Sequence, residues 1–214
     1  MRLFTFLARY LQYIREKETV MSFIKRFFGH LKTVLTHKWW VFHYASRLGF
    51  AWRGLVHDNS KFSPTEFWEG VKYWNGKRSP ILVAKEQAGI SYAWLHHRGR
   101  NKHHYEYWIE KPDNGGVPHK IPFVYVIEMV CNWLAACRTY TKSRDNIFSN
   151  EYEWWSKNAG KVNIHNETKR LITKMLWNLK EFGDYNTESN TLALVRNFME
   201  AWRKEYEDGV FYWK

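Results

Sequence analysis

Residues 56–67 read VHDNSKFSPTEF, and this stretch sets both the fold class and the chemistry to be looked for. Ser63 before Pro64, with Glu66 two positions on, is a helix start: a capping hydroxyl, a proline at the first helical position and an acid in the first turn. Just upstream, His57 and Asp58 set an imidazole beside a carboxylate, and Lys61 follows the carboxylate at a distance of three residues. In a surface loop the three would be a coincidence, so the rest of the chain must show whether they have partners.

Outward from that stretch, apolar residues recur mostly at three- and four-residue intervals, and no sustained period-2 alternation occurs. The spacing predicts helices over 22–48, 50–57, 64–75, 83–97, 101–109, 122–141, 150–158, 164–182 and 188–206. The chain therefore reads as all-α, one compact helical domain. Residues 1–20 form an N-terminal extension with a weakly amphipathic helical pattern that packs on the body, 21–145 the core, and 146–214 C-terminal helices packed against it. Lys111–Pro118, with two glycines and two prolines, is the strongest loop, read as an excursion rather than a linker.

Apolar residues make up 45% of the chain and charged ones 25%, as expected of a globular protein. The formal charge of +12 favours anionic partners such as nucleotides, nucleic acid or anionic membranes. Aromatic residues, at 19%, exceed what a small core needs, which leaves rings to line a pocket or an interface. No stretch approaches the ~20 apolar residues of a membrane span, and the run at 1–18 is broken by Arg9 and lacks a small-residue cleavage site. Cys131 and Cys137 lie on different faces of one helix and read as reduced core residues, which points to the cytoplasm.

Eight of the ten histidines fall between His30 and His104. Imidazole binds metals and titrates near neutrality, so this clustering marks a candidate site. An adjacent His57–Asp58 pair can bridge two divalent cations, and Lys61 would sit close enough to neutralise phosphate oxygens. Residues 93–108, AWLHHRGRNKHHYEYW, hold two His-His pairs with Arg98, Arg100 and Lys102 between them. On a helix, neighbouring residues point about 100° apart, so only one member of each pair is expected to face the site. The helix 125–140 is interrupted by Glu128 and Asn132, whose spacing puts them on one face. They read either as metal ligands or as partners in a helix–helix hydrogen bond. His43, His119 and His165 are read as satisfied structural residues.

With these motifs the chain resembles the HD superfamily of metal-dependent phosphohydrolases. Within it, the closest likeness is to an uncharacterised family of small bacterial and phage proteins that share H-x(6)-H (His30, His37), HD-x-SK-[FY]-S-x-x-EF (57–67) and W-x-HH-x(3)-NKHH-x-x-YW (94–108). The resemblance implies an all-helical fold and one or two divalent ions (manganese, iron, cobalt, zinc or magnesium). These would be held by His37, His57 and Asp58 with Asn132 or Glu128. It also departs from the pattern at one point: the helix reads Glu128-Met129-Val130-Cys131-Asn132-Trp133, with an amide where the family carries its last metal-binding aspartate. The expected activity is hydrolysis of a nucleotide or other small phosphate ester by a metal-activated water. Asp58, Lys61, His97, His103 and His104 would serve catalysis, and Lys61, Arg98, Arg100 and Lys102 would hold the substrate. The alternative is a non-catalytic module of the same shape that binds a nucleotide or nucleic acid through its basic face. Attachment to a membrane through residues 1–20 is a third reading, resting on composition alone.

Overall fold

In the computed structural model the backbone is described for residues 2–110, 115–140 and 146–209, and side chains from residue 19 onward. Within those residues the protein is all-α. The elements are α1 (Arg2–Arg47), α2 (Ala51–Val56), α3 (Pro64–Tyr73), α4 (Pro80–Ala88), α5 (Tyr92–Arg98), α6 (Phe123–Tyr140), α7 (Ile147–Asn158), α8 (Asn166–Gly183) and α9 (Glu188–Glu207). A single pair of two-residue strands, β1 (Ile109–Glu110) and β2 (Val117–Pro118), closes the base of the expected loop in antiparallel register. Residues 111–114 of that loop lie outside the described residues, as do the expected helix end at 141 and residues 210–214. The helix of residues 22–48 proves longer, starting at Arg2 and passing position 21 without a break.

Two other differences have local causes. The expected helix 83–97 is two helices, because Gly89 takes φ +72 and ends α4 in a left-handed cap, while the Ser91 hydroxyl accepts from the Trp94 amide to start α5. The expected helix 101–109 is a turn followed by a 3-10 segment at Tyr105–Trp108, with His104 extended at φ −92, ψ 126.

The core is continuous. Val41 and Tyr44 of α1 and Leu48 just after it pack with Val126, Ile127, Val130 and Leu134 of α6, and these with Leu171, Met175 and Leu179 of α8, Trp155 of α7 and Val195 and Trp202 of α9. Two of its large rings pair their polar atoms. The Trp155 indole donates to Thr173 Oγ1 at 2.8 Å, and the Tyr206 hydroxyl donates to the Ile121 carbonyl at 2.5 Å. Neither cysteine is bonded to the other.

Two consequences can be measured. A Cβ on Gly54 would lie 2.7 Å from the Phe42 Cα and 2.9 Å from the Ala45 Cβ, where α2 crosses α1. Gly54→Ala should therefore lower stability by about 1–3 kcal/mol, read as a lower denaturant midpoint. Glu151 is buried on α7, and burial pushes its carboxyl up to about 7 from 4.5. Between those values the folded chain holds the proton more tightly than the unfolded chain, so stability falls as pH rises through this window and stays lower above it. Glu151→Gln should gain up to about 3 kcal/mol over the wild type at pH 8 and nothing at pH 4, as seen in paired urea titrations.

Candidate metal centre

The doublet sits at a sharp corner. Helix α2 stops at Val56, His57 turns extended, and Asp58 adopts the left-handed conformation, φ 54 and ψ 28, before a 3-10 turn over Asn59–Phe62. Aspartate tolerates that conformation better than most side chains. Lys38 of α1 fixes the corner, its ammonium donating to the His57 carbonyl and, at 2.8 Å, to Asn59 Oδ1. Ser63 then caps α3 as its sequence indicates, accepting from the Glu66 amide at 3.4 Å.

This corner pushes a fully buried Asp58 into a shell of histidines. Its Oδ2 stands 3.2 Å from His57 Nε2, 3.7 Å from His37 Nε2 and 2.5 Å from Lys61 Nζ. Its Oδ1 stands 3.3 Å from both His97 Nε2 and His103 Nε2. Yet both oxygens, and the Nε2 atoms of His57, His103 and His104, are buried without an aligned hydrogen bond. Buried polar atoms in this state call for an explanation. Ligand atoms ~2.0–2.2 Å from one ion lie roughly 3.0–3.6 Å from each other, and most of the separations here fall in or near that range. Two groups of donors meet at Asp58, one with His37 and His57 and one with His97, His103 and His104. These residues could hold a metal ion.

The far sides of the rings are anchored. His57 Nδ1 donates to Glu128 Oε1 at 3.0 Å, and His103 Nδ1 stands 3.1 Å from the same oxygen. Arg53 clamps the other oxygen of Glu128 through Nε at 2.9 Å and Nη2 at 2.5 Å. Glu66 receives His96 Nδ1 at 2.6 Å and His97 Nδ1 at 2.7 Å. Such carboxylates fix the tautomer and leave Nε2 free to point inward. Asn132 Oδ1 lies 2.9 Å from His37 Nε2.

Charge is balanced tightly. Burial would raise the Asp58 carboxyl, but His57, Lys61 and His97 outweigh it and hold it well below the usual range. Burial would lower Lys61, and Asp58 reverses this and holds it above its ordinary value. His57 is likewise depressed by burial but ends raised by Asp58 and Glu128. His37 and His104 stay well below the ordinary imidazole value, chiefly through burial.

Position by position, the structure brings together His37, His57, Asp58, Lys61, His97, His103, His104, Glu128 and Asn132. The His103–His104 pair departs from expectation: both rings face the site, where residues 102–104 form a turn and not a helix. In the helical pair His97 alone reaches Asp58, and His96 turns to Glu66. His43, His119 and His165 lie elsewhere, against Glu188, against Glu110, and capping α8.

A narrow cleft, open to solvent and with a cavity volume of only about 50 Å³, borders the cluster at His37 and Lys61 and runs past His30, Val34, Ile81 and Tyr140. Arg98, Arg100 and Lys102 do not line it; Arg98 is half-buried, and Arg100 and Lys102 are exposed. Lys102 lies over the Tyr107 and Tyr125 rings. Three supporting residues escaped the sequence reading: Lys38, Arg53 and the full role of Glu66. Of the three, only Glu66 lies inside the same motif as the doublet, and its pairing with His96 and His97 appears in the structure alone.

An all-helical domain with a buried histidine–carboxylate cluster that could hold a metal ion is thus the class that fold and site define. The chain belongs to a family of unknown function (DUF5662), whose model matches residues 26–178. That span includes every residue of the cluster. No curated protein and no solved structure matches the chain.

Proposed function

We propose that this protein is a metal-dependent phosphohydrolase of the HD type, acting on a nucleotide or another small phosphate ester. The observation that carries the reading is Asp58, whose two carboxylate oxygens face two separate sets of buried histidines beside a cleft that Lys61 also lines. His37, His57 and Asp58 would hold one divalent ion, and Asp58, His97, His103 and His104 a second. A bound divalent ion supplies Lewis acidity, lowering the pKa of water and polarising a phosphoryl oxygen.

The chain's own residues do the rest. Glu128 and Glu66 keep the Nε2 lone pairs of His57, His103 and His97 aimed inward, so little reorganisation is needed when a ligand arrives. Lys61 neutralises Asp58 in the free protein, and its place on the cleft wall lets the same ammonium swing to a phosphate oxygen and stabilise the charge that builds there. The partly apolar cleft wall, with Val34 and Ile81, is where the organic part of the ester would rest, the bulk of it outside the small cavity. The alternative, a non-catalytic anion-binding module, is favoured by Asn132, which withholds one negative charge from the cluster.

The test is release of inorganic phosphate from a panel of nucleotides and sugar phosphates with added manganese, cobalt or iron. Lys61→Met should lower turnover ~100–1,000-fold while leaving metal content unchanged, since the ammonium acts on the substrate. No phosphate release from any member, with metal bound, would favour the binding module.

A further inference from the structure

Helix α1 is apolar on two opposite sides. Its inner side carries Phe27, Val34, Val41 and the two site-facing histidines, His30 and His37, and packs on the body. Its outer side carries Met21, Phe28, Leu35 and Trp39, each between 51% and 64% exposed, with Ile24 beside them. Positions 21, 28, 35 and 39 fall within about 40° of one another around a helix with 3.6 residues per turn, and extend over ~27 Å. The sequence keeps that spacing upstream at Leu3, Leu7, Tyr10 and Ile14. A folded surface seldom leaves so long a row of large apolar side chains in water without a partner.

The charges in and around the row identify the partner. Lys25 and Lys32 are exposed within the same sector, and between Thr19 and His57 the chain has six Lys and Arg and no Asp or Glu. A second copy of the Met21–Trp39 face would bring lysine against lysine with no acid within that face to answer it, the nearest acids being Glu16 and Glu18 upstream. Met21, Ile24 and Leu35 offer nothing to the bases of a nucleic acid, which stack on aromatic rings. Large apolar and aromatic residues interspersed with lysine are what the boundary of an anionic bilayer accepts. No described helix is long and apolar enough to cross a membrane, so the contact is with the surface.

We propose that the outer face of α1, from Met21 to Trp39, docks the protein on anionic lipid bilayers. The inference is independent of what the cleft does. It is tested by flotation of the full chain with vesicles of phosphatidylcholine alone and of phosphatidylcholine containing one-third phosphatidylglycerol. The wild type should float with the anionic vesicles and much less with the neutral ones. Phe28→Ser with Trp39→Ser should reduce partition by at least about tenfold, and Lys25→Gln with Lys32→Gln by about tenfold on anionic vesicles only. Because Phe28 and Trp39 are exposed, the helical circular dichroism should not change. Leu35→Ser gives the same readout should the double variant lose its helical signal. The proposal is overturned if the wild type does not float with anionic vesicles or if floating survives the apolar substitutions. It is also overturned if sedimentation shows a dimer that those substitutions dissociate, which would assign the face to a second copy.

Discussion

Asp58→Asn is expected to strip the protein of divalent metal and abolish phosphate release while leaving its helices intact. Asparagine keeps the shape of the side chain and, like aspartate, tolerates the left-handed backbone at φ 54, so the corner after α2 survives. What goes is the one negative charge that both histidine groups share. Removing an outer hydrogen-bond partner of a ligand lowers metal affinity ~10–100-fold; removing a shared ligand charge should exceed the upper end of that range. Elemental mass spectrometry on protein purified without chelators reads the result directly. The wild type should carry one or two equivalents and the variant close to none. Equal metal in both would refute the assignment of Asp58 as the bridging ligand.

Asn132→Asp should have the opposite sign. Asn132 Oδ1 already meets His37 Nε2 at 2.9 Å, and His37 lies 3.7 Å from Asp58. A carboxylate at 132 would add a second negative charge to the half of the cluster that otherwise has only the shared Asp58, without moving the backbone of α6. Metal affinity at that half should rise by about tenfold or more, and stoichiometry should move from one toward two equivalents per chain in isothermal titration with manganese. If neither affinity nor stoichiometry changes, then the amide is not what limits the His37 side.

The helical architecture was legible because burial in this chain follows helical spacing: Val34, Val41 and Ala45 in α1, or Val130 and Leu134 in α6, recur where a 3.6-residue period puts them. The break at Gly89 and the turn before Tyr105 were not, since a left-handed cap and an extended His104 depend on single backbone torsions that apolar spacing does not register. At the site, His57, Asp58 and Lys61 were readable as one motif, and residues 93–108 as a second. Their meeting was not derivable from spacing, because a corner after α2 and a non-helical turn bring them together. Lys38 and Arg53 looked like two more cations in a basic chain. Only the fold reveals that one fastens the His57 carbonyl and the other fastens Glu128.

Glu128 has a consequence for how this protein can vary. One of its oxygens serves His57 and His103 at once, and the other is held by Arg53. A change at 57, 103 or 53 therefore alters what the remaining members require of position 128. The effects of paired substitutions among these four should not add. Drift in one half of the site is thereby tied to drift in the other, and the four positions can only be inherited as a set.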